Sequence, residues 1–231
     1  MSRGTLVQRA IYPHIYNRNN NGTVIMTAHN LYFGSWQSNC YAVISRDKSG
    51  TNHAAIIDPS TPADKTCSLL DSLDAQLDMI ILTHGHFDHI MSLDDLARKS
   101  FAPVYIHEND AEMLRDSQKN AYSLFFPGRF EVNTPCQILK DGDTLKLADE
   151  ELTVMHLPGH TQGSIGLIGD GFILTGDTLF DRGVGRSDLY GGDAVKLYSS
   201  ISRLKELDPT LKIYPGHGKS AELGRVLETV L

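Results

Sequence analysis

Short runs of alternating or continuous apolar residues, each ending in a turn, set the rhythm of this chain. Thr23–Thr27, Cys40–Ser45 and Ala54–Ile57 read as strands, as do Met79–Thr83 and Val104–His107. Thr144–Leu147, Leu152–His156, Ser164–Ile168, Phe172–Thr175 and Leu211–Tyr214 repeat the pattern in the second half. Helices interrupt them. Thr61-Pro62 opens one whose Leu69, Leu70 and Leu73 form the buried face, and Ile90–Lys99 and Glu108–Arg115 read as two more. Asp193 caps a helix in which Ala194, Leu197, Tyr198, Ile201 and Leu204 recur at helical spacing, and Ala221–Leu231 closes the chain as another. Strands in both halves, punctuated by helices, predict an α/β protein with two packed sheets and helices outside.

The strand ends matter most. Ala54–Ile57 runs into Asp58, and Met79–Thr83 into His84-Gly85-His86-Phe87-Asp88-His89. Leu152–His156 leads to His160, Phe172–Thr175 to Asp177, and Leu211–Tyr214 to His217. Five apolar strands thus each deliver a metal-ligand residue type to the following loop, and loops on a rigid scaffold are where sites are built. Three imidazoles and a carboxylate within six residues are costly to bury unless something satisfies them, and a cation does so. Nitrogen and oxygen donors without thiolate suit zinc, iron or manganese. Besides Asp58, seven candidate ligands exceed one tetrahedral shell, so two ions sharing a carboxylate are expected, with water between them activated towards hydroxide.

Composition narrows the function. The 231 residues are 41% hydrophobic with net charge -7, which disfavours a phosphate backbone as partner. Apolar runs such as Met79–Leu82 are too short to cross a bilayer. Three scattered cysteines make no disulfide framework and suit a reducing compartment, hence a cytoplasmic location. Four arginines and no acid precede Asp47, which raises mitochondrial import as the alternative, but Pro13 interrupts the helix a presequence needs. Residues 1–22, ending in the polar turn Asn17–Gly22, read as an N-terminal arm, and 23–231 as the domain.

Thr83–Ile90, Pro158-Gly159-His160-Thr161, Thr175-Gly176-Asp177 and Pro215-Gly216-His217-Gly218, in this order, resemble the motifs of the metallo-β-lactamase superfamily. The resemblance implies a four-layer αββα sandwich with the site at one edge. It implies that His84, His86 and His160 bind one ion, that Asp88, His89 and His217 bind the second, and that Asp177 bridges them. Asp58 would orient the ligand loop without touching metal, and Asp88 could also accept a proton from water.

Gly176–Phe180 and Gly183–Asp188 are similar to glyoxalase II, the hydroxyacylglutathione hydrolases. That likeness implies hydrolysis of a small-molecule thioester such as S-lactoylglutathione by a metal-bridging hydroxide, zinc standing first and iron or manganese behind it. Arg186 and Asp188 stand where that family carries a Lys and a Tyr; Arg186 could pair with a substrate carboxylate, which Asp188 would repel. The alternatives are a mononuclear-iron glutathione persulfide dioxygenase of the same superfamily, or a hydrolase of lactones or other esters. His14, His29, His53, His107 and His156 read as structural or surface residues, and Tyr122, Phe125, Phe126 and Phe130 as core packing. Trp36, with Tyr32 and Phe33, falls near the expected site mouth.

Overall fold

Because its central strands are apolar on both faces, the chain buries them between further layers. In the computed structural model, which describes residues 26–31 and 38–230, two six-stranded mixed sheets lie face to face. The first runs β1 (Thr27–Asn30), β2 (Tyr41–Arg46), β3 (Asn52–Ile57), β4 (Ala75–Ile81), β5 (Val104–His107) and β6 (Cys136–Leu139) in spatial order. The second is built from β7 (Thr144–Leu147), β8 (Glu150–His156), β9 (Ile165–Gly169), β10 (Phe172–Gly176), β13 (Lys212–Pro215) and β14 (Ala221–Glu222). Between β10 and β13 a small hairpin, β11 (Leu179–Phe180) and β12 (Gly183–Val184), projects separately.

The pleat explains the layering. In β2 and β3, Tyr41, Val43, Ala55 and Ile57 face Leu152, Val154, Leu167 and Leu174 of the second sheet. Their neighbours Ala42, Ile44, Ala54 and Ile56 face the opposite way. There they meet helices α1 (Ala63–Ser72) and α3 (Leu93–Ser100), the latter preceded by the single-turn α2 (Phe87–Ile90). The outer face of the second sheet, with Met155, Ile173 and Ile213, packs on α5 (Ala194–Leu204) and α6 (Leu223–Val230). A 3₁₀ segment (Glu108–Arg115) and α4 (Tyr122–Phe125) complete the elements. This is the four-layer sandwich that the strand rhythm and motifs imply.

Several local expectations need correction. The first described strand is Thr27–Asn30, not Thr23–Thr27; residues 23–25, the arm, the Asn17–Gly22 turn and Trp36 lie outside the described residues. The helix expected at Ile90–Lys99 is two helices: the single turn Phe87–Ile90 carries Asp88 and His89, and after Met91 and Ser92 a second helix runs over Leu93–Ser100. Glu108–Arg115 is 3₁₀ rather than α. Ala221-Glu222 pairs with β13 instead of starting the last helix. Strand β6 and the β11–β12 hairpin were not expected, being short and weakly apolar. Of the aromatic segment only Phe130 packs against the core; no residue of α4 is buried, and Tyr122, Phe125 and Phe126 instead surround the ring of Phe87.

Strand direction places the site. Strands β3 and β4 are parallel, as are β10 and β13, and β8 is antiparallel to β9, which is antiparallel to β10. Five strands therefore end at the same edge of the sandwich, followed by Asp58, His84, His160, Asp177 and His217.

Candidate metal centre

Backbone hydrogen bonds sew the five loops together across the two sheets. Ile165 N donates to Thr83 O at 2.9 Å, Asn39 N to Gly216 O at 2.6 Å, and Gly216 N to Gly176 O at 2.7 Å. On this frame the structure brings all seven expected ligand residues together. His86 Nδ1 and His160 Nε2 lie 2.9 Å apart, and their rings also crowd that of His84. On the other side, His217 Nε2 lies 3.3 Å from His89 Nε2, 3.3 Å from Asp88 Oδ2 and 3.3 Å from Asp177 Oδ2. Asp177 lies between the groups: Oδ2 is 3.6 Å from His160 Nε2, and Oδ1 is 3.4 Å from His89 Nε2. Two ligand atoms on one tetrahedral zinc sit about 3.3 Å apart, so these spacings suit donors that converge on cations.

The outer hydrogen bonds turn the imidazole lone pairs inward. Asp58 accepts at Oδ1 from Thr83 N (2.7 Å) and at Oδ2 from Thr83 Oγ1 (2.6 Å) and His89 Nδ1 (2.9 Å). With that proton on Nδ1, a neutral His89, the form that binds a cation, turns its Nε2 lone pair toward the cluster. Thr83 Oγ1, having given its proton to Asp58, can accept from His84 Nδ1 at 3.1 Å. His160 Nδ1 donates to Arg186 O at 2.8 Å. His84 Nε2, His86 Nε2 and Asp177 Oδ1 are buried with no hydrogen-bond partner among the described residues. Orphaned buried donors and acceptors are rare, and here they meet in an all-nitrogen-and-oxygen set, so the residues fit divalent cations.

Electrostatics agrees. Burial pushes the His89 imidazolium down, but Asp177, Asp88 and Asp58 outweigh it and hold its pKa up at about 9. For His217 burial is likewise overcome by Asp177 and Asp88, giving about 10. His86, farther from the carboxylates, is pushed down to about 3 by burial and by His160. Burial would raise the carboxyls of Asp88 and Asp177, yet His89 and His217 hold both below the usual range. The cluster thus draws positive charge onto itself, as a cation site must.

Residues 33–217 match the family model described as the metallo-beta-lactamase superfamily. The chain belongs to that superfamily. Hydroxyacylglutathione hydrolase GloC of Haemophilus influenzae is 32% identical to this superfamily member over 195 residues, 83% of this chain and 90% of that protein. Among solved structures, the B3 metallo-beta-lactamase BLEG-1 superposes with a TM-score of 0.79 at 28% identity, covering 87% of this chain and 97% of its own. TTHA1623, solved in a di-iron-bound form, gives 0.74 at 31% identity, with 87% and 98% covered.

The remaining candidates stand apart from this metallo-beta-lactamase cluster. Arg186 donates through Nε and Nη2 to both oxygens of Asp188, at 2.7 and 2.9 Å, so the two residues neutralise each other at the surface. His29 and His53 bond Thr27 and Asp78, and His107 stacks on His156; none joins the cluster. His14 lies outside the described residues. Cys40 is buried, and its thiol is pushed up to about 12.

Sequence reasoning missed three supports. Asp110, fully buried, accepts from Gly85 N (3.0 Å), Thr161 Oγ1 (2.7 Å) and Gly163 N (2.7 Å), tying the His84–His89 loop to the His160 loop. Burial pushes its carboxyl up, against the pull of those donors. Ser38 Oγ donates to Asp88 O (2.7 Å), and Asn39 Nδ2 to Pro215 O and Gly218 O. For Asp110 the only signal was an acid near a helix start, which surface turns share; Ser38 and Asn39 belong to the Gln37-Ser38-Asn39-Cys40 stretch whose place near the site mouth the family resemblance implies.

The Asp58 network makes a sharp prediction. Asp58→Asn keeps the shape but can set an amide donor against the Thr83 hydroxyl and His89 N–H, favouring the His89 tautomer that points a proton inward. Affinity for the second divalent ion should fall about 10–100-fold while the fold persists. Metal titration alongside circular dichroism reads both; unaltered affinity would count against the orienting role.

Proposed function

We propose that this protein is a binuclear metal-dependent thioester hydrolase of glyoxalase II type, acting on an S-lactoylglutathione-like small molecule in the cytoplasm. The observation that carries the reading is Asp177, placed between a three-histidine group and the Asp88/His89/His217 group so that one carboxylate can serve both. Ligands to the first ion would be His84, His86 and His160, and to the second Asp88, His89 and His217. Bound there, two divalent ions would supply Lewis acidity towards a carbonyl oxygen and a lowered water pKa. Zinc is the first choice; the di-iron state of TTHA1623 keeps iron beside it, and the donor set also accepts manganese.

The chain's own residues do the rest. Asp58, through His89 Nδ1 and Thr83, fixes the ring orientations before substrate arrives, so little reorganisation remains for the reaction. His217 is 31% exposed whereas His84, His86 and His89 are buried, so the substrate carbonyl approaches from the His217 side. A thiolate leaves without protonation by a strong acid. Asp88, in ion-pair range of His217 and His89, can accept a proton from water while serving chiefly as ligand. GloC of Haemophilus influenzae supports the glutathione thioester by its name, and the three unpaired thiols suit a reducing compartment. Among the described residues, no helix is long and apolar enough to cross a membrane.

The test is reconstitution with zinc or iron, followed by S-lactoylglutathione hydrolysis and metal counting. Two ions per chain are expected, with turnover abolished by chelation and restored by metal. Two bound ions without hydrolysis would overturn the reading. Oxygen uptake with glutathione persulfide by a one-iron form would replace it with the dioxygenase.

A further inference from the structure

Beside the metal centre, a second concave feature carries charge that the chain itself does not neutralise. A cavity of about 480 Å³ opens between the tip of the β11–β12 hairpin, the segment after His217, and α6. Its lining includes Arg182, Lys219 and Arg225 against a single carboxylate, Asp181. Arg182 reaches only Asp181, at 3.9 Å, with its side chain 92% exposed. Lys219 and Arg225 have no ion-pair partner among the described residues. Three cations round one cavity, in a chain of net charge -7, form a local surplus that repels itself and attracts anions. The walls also include Val226 and Val230, whose apolar surface limits solvent screening, and the hydroxyls of Ser220 and Thr229.

The cavity adjoins the metal centre through two of its three walls. Phe180, next to Asp181, sets its ring 6.1 Å from that of His217. Lys219 follows His217 by two residues, at most about 7 Å of extended chain. Gly218 between them has φ +81°, and a Cβ there would come within 2.7 Å of Asp181 Oδ1, so the hairpin tip sits directly against this segment. Arg186 is already engaged by Asp188, which leaves Lys219 and Arg225 as the cations free to meet an anion near His217.

We propose that this cavity holds the anionic end of the substrate's thiol half. The inference rests on the thioester reading and adds to it that the thiol carries carboxylate or phosphate at a distance from sulfur. A tripeptide thiol spans about 10 Å when extended, enough to run from His217 into the cavity. Carboxylates of glutathione and phosphates of a phosphopantetheine-type thiol share this chemistry, and the experiment separates them.

The probes are S-methylglutathione, its dimethyl ester and S-methyl-coenzyme A, titrated calorimetrically into the metal-loaded protein. The variants are a Lys219→Gln/Arg225→Gln double substitution and, as a control remote from the cavity, Lys146→Gln. At least one anionic probe should bind wild type and Lys146→Gln alike, and bind the double variant at least tenfold more weakly. If glutathione is the source, the ester should bind wild type at least tenfold more weakly than the free acid. If coenzyme A is the source, its probe alone should show the loss. If every anionic probe that binds wild type binds the double variant as tightly, or if neither anionic probe binds wild type, the proposal is overturned. Binding through Lys219 and Arg225 without hydrolysis of any thioester would keep the anion site and sink the thioester reading. Hydrolysis with no effect of the double substitution would do the reverse.

Discussion

Replacing Asp177 with alanine is expected to leave at most one divalent ion per chain and to lower thioester turnover by roughly a thousandfold or more. Its Oδ2 lies 3.3 Å from His217 Nε2 and 3.6 Å from His160 Nε2, and its Oδ1 is buried without a hydrogen-bond partner. Alanine removes the one carboxylate facing both groups and the strongest counter-charge holding His89 and His217 protonated in the metal-free protein. Each of those rings then offers a lone pair more readily, yet lacks the shared anion that would keep two cations close together. Metal counting and steady-state kinetics on the same sample decide it. Two ions with unchanged turnover would remove Asp177 from the centre as the carboxylate shared by the two groups.

The second large effect concerns stability as well as chemistry. Asp110→Ala would leave Gly85 N–H, Gly163 N–H and the Thr161 hydroxyl facing a buried void, each having lost a charged acceptor. Thr161 still has Ser164 Oγ at 2.6 Å, so two backbone donors bear most of the cost. A loss of about 3–5 kcal/mol is expected, measurable by denaturant unfolding of the metal-free protein. Because Gly85 sits between His84 and His86, and Thr161 follows His160, the same change should weaken the first metal site. Asp110→Asn retains one acceptor and should lose less on both counts. A destabilised Asp110→Ala protein with unaltered affinity at both metal sites would confine the residue to stability.

Much of the site was legible in the chain. His84-Gly85-His86-Phe87-Asp88-His89 is dense enough in donors to announce a cation, and each of the other four residues follows an apolar strand through a short turn. That pattern is local, so it survives without knowledge of the fold. The supports were not legible because their partners are distant: Asp110 meets Thr161 51 residues away, and Asn39 meets Pro215 across 176. A lone Asp in the sequence ENDAEML looks like any acid near a helix start. The 3₁₀ form of that segment follows from the same distance, since carrying Asp110 into the space between two loops overrode the helical pattern. Glycines behave alike: Gly216 in the sequence marks only a turn, yet a Cβ there would fall 2.1 Å from Asp177 Oδ1.

What the sequence by itself determined is the inventory and its order: apolar strands that must be covered on both faces, and donors at their ends. Residue type and spacing carry both, since burial and turn chemistry act over a few neighbours. Only the tertiary structure decided which imidazole nitrogen faces inward, that Arg186 is spent on Asp188, and that three cations surround a cavity next to His217. Those outcomes depend on which loops the parallel pairing of β3 with β4 and of β10 with β13 brings to one edge, and on contacts between residues far apart in the chain.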